Sequence, residues 1–168
     1  MLTYYPNYIT KEKEKEILSL IPPFVRSNTS ERNRVFRYGS RLPYTSFFVS
    51  ENIPEVFNGL GVENFDSVTI NEYDKNQMLD YHIDDKFAGD KIVVLSLLGS
   101  GEIKFRNPKD NSAKQSIKVE PLSLYIMEGD MRWVYEHSAI AYELRYSVVF
   151  RVHSPMGKEH KSIIVNHY

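Results

Sequence analysis

Leu144-Arg-Tyr-Ser-Val-Val-Phe-Arg-Val-His153 is the stretch on which the fold reading turns. It is dense in β-branched and aromatic residues, which suit the pleated, half-buried surface of a sheet. In an extended chain successive side chains point to opposite faces. Arg145, Ser147, Val149 and Arg151 therefore share one face, and Tyr146, Val148 and Phe150 the other. An arginine turned into a β core is costly unless it meets an anion. Two on one face point to a ligand with two carboxylates, each held by a guanidinium fork.

Similar runs rich in Val, Ile, Phe and Tyr lie at Arg34–Tyr38, Thr45–Val49, Ser67–Tyr73, Ile92–Leu98, Gly101–Arg106, Gln115–Val119, Ser123–Met127 and Arg132–His137. Gly and Asn/Asp clusters separate them, as at Gly99–Gly101, Asn107–Asn111 and Glu128–Asp130. Many short strands joined by turns predict a mainly β (α+β) chain, an antiparallel sandwich or jelly roll, with one or two N-terminal helices. The first helix is expected to be capped by Thr10 and to be acidic in its first turns, with Pro22 and Pro23 ending it. A second is expected from Pro54 to Leu60, stopped by Gly59 and Gly61. The tail from Ser154 to Tyr168 reads as an added edge strand or a frayed end.

The 168 residues suit one domain. Charges nearly cancel, 21 Lys plus Arg against 22 Asp plus Glu, so nothing global favours nucleic acid or membrane as a partner. With no cysteine, disulfides, thiolate zinc sites, iron–sulfur clusters and a thiol nucleophile are excluded. Any metal must be held by His, Asp or Glu. The first twenty residues lack a basic segment followed by an apolar one, and no stretch approaches the length of a membrane span. An intracellular monomer is expected, cytoplasmic or, in a eukaryote, nuclear, with no membrane partner.

His82 and Asp84 are two apart, so at an extended strand end both side chains reach the same side. His137, beside the turn-rich run Glu128–Arg132, could return a third ligand to the same mouth. Two His and one carboxylate form the facial set that leaves open positions on non-haem Fe(II). A His-x-Asp alone is common, but the paired arginines eight and fourteen residues beyond His137 give it context.

In order, these residues resemble the AlkB-like Fe(II)- and 2-oxoglutarate-dependent dioxygenases: Asn71-x-Tyr73, then nine residues to His82-x-Asp84, a distal His137, and Arg145-x-Ser147-x-x-Phe150-Arg151. The resemblance implies a double-stranded β-helix and one domain over residues 1–168. Residues 1–66 would hold the N-terminal helix and a substrate lid, 67–153 the jelly-roll core and 154–168 a tail. It implies that His82, Asp84 and His137 hold the catalytic Fe(II). Arg145 with Tyr73 would anchor the far carboxylate of 2-oxoglutarate, Arg151 and Asn71 would meet its near end, and Ser147 belongs to the same set. Oxygen is the second cosubstrate. Hydroxylation of an N-methyl group gives an unstable hemiaminal that loses formaldehyde, so demethylation needs no further help from the protein.

Five arginines, Arg26, Arg32, Arg34, Arg37 and Arg41, sit within 16 residues, interleaved with Phe36, Tyr38 and Tyr44. Such a strip suits phosphate contacts and base stacking, and relatives carry a nucleotide-recognition lid there. Arg34, Arg37, Tyr38, Arg41 and Tyr44 are therefore the candidate substrate contacts. Asp85 joins them because the His-x-Asp-Asp form resembles the repair branch, where the second carboxylate meets the damaged base. Alternatively it belongs to the turn that follows, Asp85–Asp90. Ser147 stands where repair enzymes usually have Asn, and Asp74–Met78 where many relatives carry Gly. The expected substrate is alkylated RNA or single-stranded DNA. Rival readings are a hydroxylase of a tRNA base side chain or a protein, a silent jelly-roll binding module, and a zinc hydrolase, which leaves Asn71, Tyr73 and the paired arginines without a role. Met131 and Trp133 read as packing around the metal mouth.

Overall fold

The computed structural model describes residues 1–21, 34–42, 48–153 and 162–167, without the side chains of 111–113. Arg26, Arg32, Tyr44 and the expected strand start at Thr45 lie outside the described residues. In chain order the elements are β1 (Leu2–Tyr5), α1 (Lys11–Ser19), β2 (Arg34–Gly39), β3 (Phe48–Ser50), β4 (Val62–Glu63), β5 (Ser67–Tyr73), β6 (Met78–His82) and β7 (Lys91–Leu97). Then follow β8 (Gly101–Asn107), β9 (Asp110–Val119), β10 (Leu124–Glu128), α2 (Asp130–Trp133), β11 (Glu136–Ala141), β12 (Arg145–Arg151) and β13 (Ile164–Val165).

The strands form a jelly roll. A large sheet has the order β1-β10-β7-β12-β5-β2-β3 and a small one β6-β11-β8-β9. Among the described residues only the β2–β3 pairing is parallel. The alternation read along β12 sorts its side chains as expected. Val148 and Phe150 join Val68, Ile70, Val93 and Leu95 on the outer face, covered by Ile17, Phe57, Val62 and Ile163. Val149 joins Ile92, Val94, Tyr125 and Met127 on the inner face, against Ile103, Phe105 and Ala139 of the small sheet. β7 is buried on both faces, which is why its sequence is an almost unbroken apolar run.

Thr10 caps α1, its hydroxyl accepting the Lys13 amide, with Glu12 and Glu14 in the first turn. The helix expected from Pro54 to Leu60 is a single 3-10 turn, Glu55–Phe57. The chain leaves the helical path at Asn58, whose backbone is extended, and Gly59 and Gly61 beyond it take positive φ, 77° and 75°. The strand expected at Arg132–His137 is also corrected. Gly129, at φ 58°, turns the chain out of β10 into the short α2, which makes the corner between the two sheets before β11 begins. The apolar end of the tail is an edge strand, β13 pairing with β4.

Register brings His82 opposite His137 on the small sheet, and Arg151 opposite Ser67 on the large one, at the same end of the roll. The opposite end is closed by turns at 74–77, 98–100 and 142–144, tied together by Asn76 N–H to Ala141 C=O at 2.8 Å and Tyr142 N–H to Ser100 C=O at 3.0 Å. Among the described residues no helix is long and apolar enough to cross a membrane.

Phe150, fully buried, meets the edges of Phe57 and Phe65 at centroid distances of 6.0 and 4.9 Å. Phe150→Ala is expected to lower the unfolding free energy by about 3 to 5 kcal/mol, read from the urea midpoint.

Candidate active site

At the open end, His82 closes β6, Asp84 follows in the loop to β7, and His137 lies near the start of β11. Their ligand atoms all lie within 4.8 Å of one another. Asp84 Oδ1 stands 3.3 Å from His82 Nε2 and 3.6 Å from His137 Nε2. His82 Nδ1 is 2.8 Å from the Asp80 carbonyl, which can only accept, so Nδ1 carries the proton and neutral Nε2 keeps its lone pair for a metal. Burial is graded: the side chains of Asp84, His137 and His82 are 5, 12 and 35% exposed, so the cluster opens on the His82 side.

The electrostatics suit a cation. Burial opposes ionisation of Asp84, yet Arg151 and the two imidazoles hold its carboxyl well below the usual range. Arg151 does so directly, Nε and Nη2 both meeting Asp84 Oδ2, at 2.9 and 2.8 Å, while Nη1 donates to Thr69 Oγ1 at 3.1 Å. Burial pushes His137 down to about 4, leaving it neutral and ready to ligate. Burial also works to lower His82, but its bonds to Asp84 and the Asp80 carbonyl outweigh that and raise it.

A polar stripe runs from this cluster along the inner face of the large sheet. Asn71 Nδ2 donates to Ser147 Oγ at 3.2 Å, and the Ser147 hydroxyl in turn bonds Tyr73. At the closed end Arg145 is 1% exposed, with Nη2 on Ser96 Oγ at 2.9 Å and its guanidinium 5.7 Å from the Tyr73 ring centre. Its Nε is buried with no hydrogen-bond partner among the described residues. A buried guanidinium with an orphaned donor and no carboxylate of the described residues in contact lacks a counter-charge among them, and a dicarboxylate reaching this depth would supply one. Gly101 makes room there: a Cβ on it would stand 2.5 Å from the Ile140 carbonyl oxygen and 3.3 Å from Arg145 Cδ.

The candidate substrate residues are not all brought to this end. β2 pairs Arg37 with Thr69, so Arg37 faces inward, and burial and then the nearby Arg151 charge lower its pKa. Arg34 and Tyr38 have the other parity. Arg34 pairs with Glu72 and, at 3.4 Å, with Asp74, and Tyr38 packs in the outer core, so both turn away from the metal cluster. Arg41 is exposed, its guanidinium 5.1 Å from the Phe48 ring centre. Tyr44 lies outside the described residues. Asp85 is exposed and builds the turn that was its alternative reading, with Oδ1 accepting the Phe87 amide at 2.8 Å.

Three residues at the site were not singled out from sequence. Ser96, at the same parity as Ile92 and Val94, meets Arg145. Tyr125 is buried on the inner face, its phenol pushed up by burial against the pull of Arg145. The parity of each within its apolar strand was the available signal. Arg132 lies buried beneath the loop that bears Asp84.

A jelly roll with a two-His, one-carboxylate cluster at its open end and a buried arginine at its floor defines an oxygenase fold and site. The 2OG-Fe(II) oxygenase superfamily model matches residues 48–151, and the chain belongs to that family. It is a 2-oxoglutarate-dependent dioxygenase using Fe(II), 2-oxoglutarate and O2. It is 27% identical, in an alignment covering 86% of this chain and 81% of the other, to the Uncharacterized protein L905 of Acanthamoeba polyphaga mimivirus. Its fold matches the structure of OsALKBH1 with a TM-score of 0.69 at 14% identity, covering 89% of this chain and 97% of that one.

The donor set, two imidazoles with Nε2 toward the cluster and one ionised carboxylate, fits Fe(II), and the orphaned Arg145 Nε fits the cosubstrate. When bound, Fe(II) with 2-oxoglutarate and O2 supplies an oxidation in which oxoglutarate leaves as succinate and carbon dioxide and one oxygen atom enters a substrate C–H bond.

Asp84→Ala is expected to leave circular dichroism unchanged while abolishing Fe(II) binding and succinate production. Metal affinity is expected to fall as pH drops through the range just above the usual imidazole value, because a proton then competes for His82 Nε2; titration of the metal-free protein at several pH values measures it. Arg145→Ala is expected to raise the oxoglutarate KM at least about thirtyfold, the equivalent of about 2 kcal/mol or more for a charged pair.

Proposed function

We propose that this dioxygenase oxidatively removes N-alkyl groups from nucleic-acid bases, in RNA or single-stranded DNA, releasing formaldehyde with succinate and carbon dioxide. His82, Asp84 and His137 are the iron ligands. Arg145 and Tyr73 take the far carboxylate of oxoglutarate, with Ser147 orienting Tyr73. Asn71 and Arg151 serve its near end, Arg151 from its ion pair with Asp84.

The observation that carries the substrate reading is the rim of the open end. Ile83, between His82 and Asp84, and Trp133 and Val134, four and three residues before His137, are all exposed although large and apolar. Cations also lie over aromatic rings in the chain: Arg41 over Phe48 at 5.1 Å, Lys86 over Phe87 at 5.0 Å and Arg106 over Tyr81, which is next to His82, at 4.0 Å. Flat apolar faces beside cations are what an unstacked base and its phosphates need. Arg37 and Arg41 are the backbone contacts retained from the arginine strip. Asp85, exposed and one residue from the metal carboxylate, would accept from an exocyclic amine through Oδ2, since Oδ1 takes the Phe87 amide.

The protein's own work is positional. Arg151 and the two imidazoles keep Asp84 ionised, the walls of Ile92, Val94, Phe105 and Val149 keep bulk water from the reacting end, and the rim holds the alkyl group toward the cluster.

Succinate and formaldehyde release from Fe(II)-loaded protein, given oxoglutarate, oxygen and oligonucleotides bearing 1-methyladenine or 3-methylcytosine, tests this reading. Equal yields are expected, larger on single strands than on duplex. Succinate without formaldehyde would overturn the demethylase reading and favour another base modification or a protein substrate. Arg37→Ala combined with Arg41→Ala is expected to weaken oligonucleotide binding and reduce the salt slope by about 2, one unit for each phosphate contact.

A further inference from the structure

Arg132 has no part in the roles assigned above, yet it is 2% exposed. A buried guanidinium is retained at a cost unless its donors are matched. Here they are matched by main-chain oxygens of one loop: Nε donates to Gly89 C=O at 2.8 Å, Nη1 to Asp84 C=O at 3.1 Å and Nη2 to Asp85 C=O at 2.6 Å. β6 stops at His82 and β7 starts at Lys91, so the loop between them has no ladder to take these carbonyls. Trp133 covers the guanidinium, its ring centre 4.1 Å away, and withholds it from water on that side.

The consequence falls on Asp84. Its side chain is gripped by Arg151 at Oδ2, and its main-chain oxygen by Arg132. With both ends fixed, Oδ1 is left facing the Nε2 atoms of His82 and His137. Arg132 also stands five residues before His137, on the corner that leads into β11. One side chain thus ties the loop carrying the His-x-Asp pair to the segment delivering the distal His.

We propose that Arg132 is a positioning residue that sets the direction of the Asp84 carboxylate and couples the two halves of the metal cluster. The inference rests on the reading of His82, Asp84 and His137 as metal ligands.

The test is Co(II) titration of the full chain, following the visible absorption of the bound ion, with hydrogen exchange of the 85–89 amides as a second readout. Arg132→Met is expected to keep the native circular dichroism, lose about 10- to 100-fold in Co(II) affinity, change the absorption band and speed exchange in the loop. Arg132→Lys, which restores the charge and part of the donor set, is expected to recover a portion of the affinity. A folded Arg132→Met that binds Co(II) within twofold of wild type, with the same band, would overturn the proposal. If Arg132→Met does not fold, Arg132→Lys decides: wild-type affinity, band and loop exchange would overturn the proposal, and an intermediate loss supports it. Asp84→Ala is the control. Undiminished Co(II) binding there would overturn the ligand assignment itself, whatever the Arg132 variants do.

Discussion

The ion pair between Arg151 and Asp84 is the constraint from which the rest of the site follows. A carboxylate this deeply buried would hold its proton, and a protonated Asp84 is a poor ligand for a cation. Arg151 reverses that preference from the last residue of β12, on the large sheet, while both imidazoles come from the small sheet. The site exists only if the two sheets are packed in register at one end. Its geometry therefore depends on the inner core of Ile92, Val94, Ile103, Phe105 and Val149, of which Phe105 packs against the His137 ring.

The two sheets divide the chemistry. The small sheet and its loop offer metal donors. The inner face of the large sheet offers a polar stripe in which almost every group has a named partner, Asn71 to Ser147, Ser147 to Tyr73, Arg145 to Ser96 and Arg151 to Thr69. Polar groups inside an apolar sandwich are tolerated when they satisfy one another. The exception, Arg145 Nε, marks where something from outside is needed.

The parity of β12 and the spacing of His82, Asp84 and His137 were legible in the sequence, because a two-residue period decides which side chains meet. The fold class followed from the same period repeated along the chain. Arg34 and Tyr38 were misread for a related reason. Alternation separates them from Arg37, but which face looks inward is fixed only by pairing β2 with β5. Arg132 was hidden because Arg132–His137 reads as a strand, and only the need to turn a corner between sheets converts its start into α2. Gly59 and Gly61 were read as the stop, but the chain turns extended already at Asn58 and leaves one turn where a helix was anticipated.

The closed end of the roll has a consequence for timing. Among the described residues, turns tied across 74–77, 98–100 and 142–144 lie at the end that holds the buried Arg145, so a molecule whose carboxylate ends there would enter from the metal cluster's end. On the proposed assignment a base resting on the rim stands in that path. On that assignment the cosubstrate would arrive before the base, and its spent form would leave after it. The order of binding would then follow from which end of the β sandwich is open.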